Sequence, residues 1–160
     1  MKYARRDFFR KLIKPFKKFY LHPPYYKDKA DFSFCLKCSE KPCVSACENE
    51  IITINDGIPI LKFNSGGCTF CDECAKVCGK VLKVENKREK INGEVAIDPV
   101  SCLAYNESVC FSCQDVCEYD AISFEGMFNP TINEKCVSCG ECISVCPTKA
   151  IEVKPMEDYE

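Results

Sequence analysis

The chain of 160 residues lacks any run that approaches the roughly 20 apolar residues of a membrane-spanning helix. It also lacks a secretory signal, because no apolar core of about 7–15 residues follows its basic start. Neither a nucleophile–base pair nor a phosphate-binding loop is apparent, so the sequence does not predict an enzyme. These absences predict a non-catalytic protein of the cytoplasm, where thiols stay reduced.

Histidine is also scarce, since His22 is the only one in the chain. A single histidine disfavours zinc sites of mixed cysteine and histidine. We expect His22 to lie at the surface and residues 22–24 to form a linker. Cysteine, by contrast, makes up a tenth of the chain, and these cysteines form four groups of four. The groups are Cys35, Cys38, Cys43 and Cys47; Cys68, Cys71, Cys74 and Cys78; Cys102, Cys110, Cys113 and Cys117; and Cys136, Cys139, Cys142 and Cys146.

Four thiolates are the ligands of one [4Fe–4S] cluster, so the count predicts four clusters held by these sixteen cysteines. The last group is a full C-x2-C-x2-C-x3-C-P run, in which three thiolates wrap one face of a cube and the fourth reaches a second cube. The second group has the same spacing with Gly79 in the proline position, and the first and third groups contain longer gaps. Disulfides, zinc sites, and incomplete loading with the third group empty or a group holding [3Fe–4S] are the alternatives.

The first cysteines of the groups recur every 33 or 34 residues, and short β-branched runs separated by turn residues follow them. Asn55-Asp56-Gly57 and Glu125-Gly126 predict hairpins, and a longer, charged hairpin is predicted over residues 81–97. Cysteine loops, short helices and β-hairpins together resemble bacterial ferredoxin units. The predicted fold is therefore α+β, with tandem ferredoxin-like domains at residues 30–98 and 99–160 after a basic segment and linker at residues 1–29.

Two ligand pairings are open. In the tandem pairing, the first group shares its clusters with the second, and the third with the fourth. In the nested pairing, the first group pairs with the fourth and the second with the third. The short hairpins between groups one and two and between groups three and four favour the tandem pairing, and the ligand set is the same in both.

Basic residues are concentrated at the start of the chain, where residues 1–20 carry a side-chain charge of +7 and the remainder carries −9. With four clusters, the whole chain would reach about −10. An acidic body with a basic head predicts protein partners and no nucleic acid. Apolar residues at near-helical spacing in the head predict an amphipathic segment. It could pack on the body of the protein, dock on an acidic partner, or contact the inner face of the membrane.

Arg5-Arg6 in the head is similar to a twin-arginine export motif, but the charged residues that follow do not form the apolar region of an export signal. The cysteine groups carry further motifs. These are Cys43-Val44-Ser45-Ala46-Cys47-Glu48-Asn49, Gly67-Cys68-Thr69-Phe70-Cys71, Cys102-Leu103-Ala104-Tyr105 and Cys113-Gln114-Asp115-Val116-Cys117-Glu118. Together with the arginine pair they resemble the NapF family of ferredoxin-type proteins of the periplasmic nitrate reductase system.

The resemblance spans about residues 30–154, and the Cys102-Leu103-Ala104-Tyr105 stretch is its most specific part. It implies a cytoplasmic iron–sulfur accessory protein whose redox partner is the catalytic molybdenum subunit of periplasmic nitrate reductase. Its role would be maturation of that subunit or supply of electrons to it. An electron-wire subunit of another oxidoreductase complex and an iron–sulfur donor or redox sensor are the alternatives.

Overall fold

The computed structural model describes residues 19–27 and 32–156. The predicted amphipathic segment and the arginine pair lie outside the described residues. Five short helices lie within the cysteine groups: α1 (Ser33–Leu36), α2 (Pro42–Ser45), α3 (Glu73–Cys78), α4 (Ser112–Asp115) and α5 (Glu141–Ser144). Two 3₁₀ turns span Val84–Asn86 and Ala104–Asn106. Six strands complete the described fold: β1 (Ile52–Asn55), β2 (Ile58–Leu61), β3 (Gly93–Ile97), β4 (Ile122–Glu125), β5 (Phe128–Ile132) and β6 (Ile151–Pro155).

Two of the predicted hairpins are confirmed. Strands β1 and β2 pair antiparallel around Asp56-Gly57, and both turn residues have positive φ, as a tight hairpin turn requires. Strands β4 and β5 pair antiparallel around Gly126, whose φ is +69°, with a register shift at Phe124 and Glu125. Each hairpin follows the fourth cysteine of a group, so it leads the chain from one cysteine loop to the next.

The hairpin predicted over residues 81–97 is wrong. Residues 81–83 form no strand, residues 84–86 form a 3₁₀ turn, and β3 pairs antiparallel with β6 near the end of the chain. In this register, Gly93 faces Pro155 and Ile97 faces Ile151. The turn residues Asn92-Gly93 therefore begin a strand with a distant partner, and the charged residues before them remain in an irregular segment.

The fold is the predicted α+β arrangement of tandem ferredoxin-like units. The first unit contains α1–α3 and the β1–β2 hairpin. The second unit is bracketed by β3 and β6, with the β4–β5 hairpin between them. It therefore begins at residue 93, within the predicted first domain of residues 30–98. The main buried cluster lies in the first unit and includes Ile51, Leu61, Phe63, Leu82 and Ile91. Because the units are small, the cysteine loops lie directly against this core.

The predicted linker is also wrong, because residues 21–26 are an integral part of the first unit. We call them the N-terminal strap. The backbone of Leu21 accepts a hydrogen bond from Leu61 of β2 (2.7 Å), and that of Tyr25 accepts one from Lys83 (2.8 Å). His22 is half-buried and donates to the Pro59 carbonyl through Nδ1 (2.7 Å). The two prolines of the strap stiffen a segment that is held on both sides.

None of the helices among residues 19–27 and 32–156 is long and apolar enough to cross a membrane.

Candidate iron–sulfur sites

Three cavities are each lined by four cysteines. Each cavity takes three cysteines from one group and one from the neighbouring group along the chain. Quartet A consists of Cys35, Cys38, Cys43 and Cys78; quartet B of Cys68, Cys71, Cys74 and Cys47; and quartet C of Cys102, Cys110, Cys113 and Cys146. The exchanged residue is the fourth cysteine of its group in all three quartets. Its position at or just beyond the end of a short helix carries it to the neighbouring loop.

The remaining four cysteines form quartet D, which consists of Cys136, Cys139, Cys142 and Cys117. Cys117 and Cys139 line one cavity of about 390 Å³. The charges of Cys136 and Cys117 act on the thiol of Cys139, and those of Cys139 and Cys136 act on the thiol of Cys142, in keeping with one site formed by these side chains. Groups one and two therefore exchange their fourth cysteines, and so do groups three and four. This grouping matches the tandem pairing and not the nested one.

A left-handed residue precedes three of the four helices that carry the third cysteine of a group. Lys41, Asp72 and Gly140 have φ values of +47°, +68° and +84°, and each stands two residues before that cysteine. This conformation reverses the chain between the second and third cysteines. The cysteines can then face a common centre although they are close in sequence. Phe111, at the same place in the third group, has a φ of −118°, and its loop reaches the site by a longer route.

Backbone amides point at the sulfur of the exchanged cysteines. The N–H groups of Leu82, Ala121 and Ala150 donate to the Sγ atoms four residues earlier, at 3.4, 3.4 and 3.2 Å. These acceptors are Cys78, Cys117 and Cys146, which contribute to quartets A, D and C. Amide donors of this kind stabilise negative charge on a thiolate and tune an iron–sulfur site.

Burial is the main electrostatic influence on five of the cysteines when no metal is bound. It raises the pKa of Cys74 and of Cys142 to about 12, with a further contribution from the charges of neighbouring thiolates. Burial likewise raises the pKa of Cys43, Cys68 and Cys113 to about 11. Such thiols keep their protons at neutral pH unless a cation compensates the charge. Binding of iron therefore has to displace protons from these sites.

All sixteen cysteines lie in the described part of the chain, and none of them forms a disulfide. Among the described residues, no three cysteine, histidine, aspartate or glutamate side chains converge as closely as one metal ion requires. A zinc ion binds each thiolate at about 2.3 Å, so its ligands crowd around a single point. A cubane carries its four thiolates on four separate iron atoms and needs a wider quartet.

The long gap of the third group is an ordered loop. The side-chain amide of Asn106 donates to the carbonyls of Pro99, Val100 and Cys102 at 3.1, 3.2 and 2.7 Å. The hydroxyl of Tyr105 donates to the Pro130 carbonyl at 3.0 Å, which ties the loop to β5. The seven intervening residues therefore return the chain to Cys110 at the edge of quartet C.

Several residues that support the site were missed by the sequence analysis. The buried hydroxyl of Tyr25 accepts a hydrogen bond from the Asp72 amide (3.0 Å). Lys87 donates to the Phe70 carbonyl and forms an ion pair with Asp72, both at 2.8 Å. These contacts hold the loop on both sides of Cys71, between Cys68 and Cys74. No local signal marks them, because Tyr25 and Lys87 are distant in sequence from the loop that they contact.

The comparisons with known proteins agree with this arrangement. A family model for the 4Fe-4S binding domain matches residues 130–152. Ferredoxin-type protein NapF of Escherichia coli (strain K12) is 34% identical over 138 residues, which cover 82% of this chain and 82% of that protein. The NapF protein of Haemophilus influenzae is 32% identical over 147 residues, which cover 88% of this chain and 82% of that protein. One subunit of the ion-translocating oxidoreductase complex of Methanosarcina acetivorans is 30% identical over 124 residues, covering 70% of this chain and 44% of that protein.

Tandem ferredoxin-like units with cysteine quartets and a matching 4Fe-4S domain define an iron–sulfur protein of the ferredoxin class, whose members carry electrons. The sequence identity over most of both chains defines a particular family within this class. The chain belongs to the NapF family of ferredoxin-type proteins, as the resemblance in its sequence motifs predicted.

Proposed function

We propose that this chain holds four [4Fe–4S] clusters, one in each of quartets A to D, and serves nitrate respiration as an electron-transfer and maturation protein. Its partner is the catalytic molybdenum subunit of periplasmic nitrate reductase, which it meets in the cytoplasm. The observation that carries the proposal is the grouping of the cysteines into four quartets in a chain of the NapF family. The protein itself catalyses no reaction on a substrate.

The residues present fit such clusters. Each quartet supplies four thiols, and the exchanged cysteines of three quartets accept backbone N–H groups. A [4Fe–4S] cluster supplies reversible one-electron chemistry when bound, and its potential depends on nearby hydrogen bonds, charge and solvent. The contribution of the chain is to orient the thiolates and to limit the access of water. Cys43 and Cys74 are buried, whereas Cys38 and Cys71 are exposed, so quartets A and B also reach the surface.

Iron and acid-labile sulfide determination on anaerobically purified protein tests the number of clusters. We expect about sixteen iron atoms per chain, four for each cubane. Electron paramagnetic resonance of the reduced protein distinguishes [4Fe–4S] from [3Fe–4S] centres. Colourless protein, or protein that binds zinc stoichiometrically in place of iron, would refute the assignment.

Mixing the purified protein with the catalytic subunit of a nitrate reductase tests the role. A maturation protein that donates iron should lose iron to the cluster-free subunit, and the subunit should gain an equal amount. An electron carrier should keep its iron and become oxidised when the subunit turns over nitrate. If the protein neither binds the subunit nor exchanges iron or electrons with it, the nitrate-respiration role is wrong, and the number of clusters is still decided by the iron determination.

A second candidate is an electron-wire subunit within another oxidoreductase complex. The similarity to a component of an ion-translocating oxidoreductase complex favours it, because that alignment covers 70% of this chain. Co-purification separates the two candidates. The wire subunit should be recovered from cells in a stable complex with other redox subunits. The accessory protein should be recovered free or with the catalytic molybdenum subunit.

A further inference from the structure

The two ferredoxin-like units meet where cysteine loops of quartets B and D come together. The backbone N–H of Cys68, in quartet B, donates to the carbonyl of Cys139, in quartet D, at 2.7 Å. One residue earlier, the N–H of Gly67 donates to Oε2 of Glu141 at 2.7 Å. The Gly67 carbonyl accepts the side-chain amide of Asn49 at 2.6 Å, which ties the same residue to the first unit. We call these contacts the B–D junction.

The junction leaves no room for a side chain at two of its positions. A Cβ atom on Gly67 would lie 2.6 Å from the backbone nitrogen of Glu141 and 2.9 Å from the Cys139 carbonyl. A Cβ atom on Gly140 would overlap the ring of Phe63, which belongs to the buried core of the first unit. Glycine at both positions therefore permits the close approach of the two loops.

The loop of residues 137–141 in the second unit makes further hydrogen bonds on its other side. The N–H of Ile91 donates to the Val137 carbonyl at 3.0 Å, and the hydroxyl of Ser138 donates to the Gly93 carbonyl at 2.6 Å. Ser138 is only 1% exposed, so this hydrogen bond is shielded from water. Residues 137–141 are thus clamped between the end of the first unit and the start of β3. Their position relative to quartet B is fixed by hydrogen bonds on both sides.

The quartets have a defined order in space. Helix α2, which carries Cys43 of quartet A, packs on α3, which carries Cys74 of quartet B. In the same way α4, with Cys113 of quartet C, packs on α5, with Cys142 of quartet D. The B–D junction supplies the remaining link, and Cys68, Cys117 and Cys139 line a single cavity there. The contacts therefore run from A to B, from B to D and from D to C.

We propose that the B–D junction makes quartets B and D the inner pair of a continuous four-site relay, and that Glu141 is the positioning residue that holds them together. This inference rests on the proposed function, because it requires that the quartets hold clusters. The carboxylate of Glu141 acts through the Gly67 amide. Glu73 occupies the equivalent place in the second cysteine group, just before the third cysteine, but it pairs with Lys76 at the surface (2.6 Å).

The experiment compares Glu141→Ala, Glu141→Gln and the matched control Glu73→Ala. Cys38→Ala and Cys110→Ala form the background for paramagnetic resonance, because they remove one ligand each from quartets A and C. In the reduced protein, the spins of the two remaining clusters should interact and split each other's signals. We expect Glu141→Ala to weaken this splitting at unchanged iron content. Glu141→Gln, which retains an oxygen acceptor for the Gly67 amide, and Glu73→Ala should preserve it.

Hydrogen–deuterium exchange of residues 64–72 in the otherwise unaltered chain gives a readout that does not depend on spins or on the cysteine background. Loss of a hydrogen bond to a charged acceptor should accelerate exchange at the Gly67 amide by about ten- to a hundredfold in Glu141→Ala. Exchange within the β4–β5 hairpin should not change.

The outcomes separate this inference from the proposed function. Unchanged splitting and exchange in Glu141→Ala, or an equal effect of Glu73→Ala, would overturn the positioning role. Loss of iron together with faster exchange throughout the chain would show a general structural role instead and would also overturn it. A wild-type protein without iron would refute the proposed function, while the exchange measurement would still decide whether Glu141 holds the junction.

Discussion

Removing the hydroxyl of Tyr25 should weaken quartet B specifically. Tyr25 is 1% exposed, and its hydroxyl accepts a hydrogen bond from the Asp72 amide. Burial raises the pKa of this phenol, so it stays protonated at any ordinary pH. In Tyr25→Phe the ring still fills its place in the core, and only the hydrogen bond to the quartet B loop is lost.

The magnitude follows from the groups left without a partner. The carboxylate of Asp72 keeps its ion pair with Lys87, whereas the Asp72 amide loses the phenol oxygen. An unsatisfied group of this kind costs about 1–2 kcal/mol. For a chain of this size, that cost corresponds to a fall of roughly 2–8 °C in the midpoint of thermal unfolding.

The assay is the loss of visible iron–sulfur absorbance on anaerobic heating, compared between variants at one scan rate because cluster loss is irreversible. Tyr119 lines the cavity at the B–D junction, but it is 38% exposed and its hydroxyl makes no hydrogen bond among the described residues. Tyr119→Phe is the matched control. Its midpoint should equal that of the wild type. Equal midpoints for Tyr25→Phe and Tyr119→Phe, or iron loss that begins in a quartet other than B, would refute the reasoning.

Three further predictions test the pairing of the quartets, the loop of the third cysteine group and the N-terminal end of the chain. Cys35→Ala combined with Cys78→Ala should lower the iron content by about four atoms, because both cysteines belong to quartet A. Cys35→Ala combined with Cys47→Ala should lower it by about eight atoms, because these cysteines belong to different quartets. Nested pairing would give a loss of about eight atoms for the first combination. Asn106→Ala should release the loop before Cys110 and deplete the iron of quartet C, as measured by iron determination. The control Asn55→Ala, whose half-buried side chain bonds only to the neighbouring Asp56 within the described part of the chain, should retain full iron. Deletion of residues 1–18 should leave the iron spectrum intact and weaken binding to the partner or to anionic vesicles. Deletion of residues 1–26 also removes the N-terminal strap, so it should in addition lower the midpoint of thermal unfolding.

The features that the sequence predicted correctly are those encoded locally. The β1–β2 turn needs positive φ at Asp56 and Gly57, and aspartate and glycine tolerate this conformation. A sequence of a few residues is therefore enough to predict the hairpin. The grouping of the cysteines followed from short spacings and from hairpins that bring consecutive groups together. The ligand quartets follow from the same local geometry, since each exchanged cysteine stands a few residues beyond a helix start.

Non-local pairing explains the failures. Asn92-Gly93 is a strong turn pattern, yet the strand that follows it pairs with residues 151–155, and no short-range rule indicates that partner. The two prolines at positions 23 and 24 favour an extended segment, as a linker would need. The same extended backbone also suits a strap whose carbonyls accept hydrogen bonds from Leu61 and Lys83. Glu73 and Glu141 occupy equivalent places in their cysteine groups, and only tertiary structure distinguishes a surface ion pair from a junction between units.

The acidic residues of the described chain are unevenly distributed between the two units. Residues 93–156 contain ten acidic and three basic side chains, whereas the described residues before them contain eight acidic and ten basic ones. The four proposed clusters would add about −2 to each quartet and would not cancel this difference between the units. The two ends of the relay therefore present different potentials, and a cationic partner is attracted over the longest range to the unit that contains quartets C and D. Salt screens such attraction within about 10 Å at 0.1 M. Rising ionic strength should therefore slow association of a cationic partner at quartets C and D far more than association at quartet A.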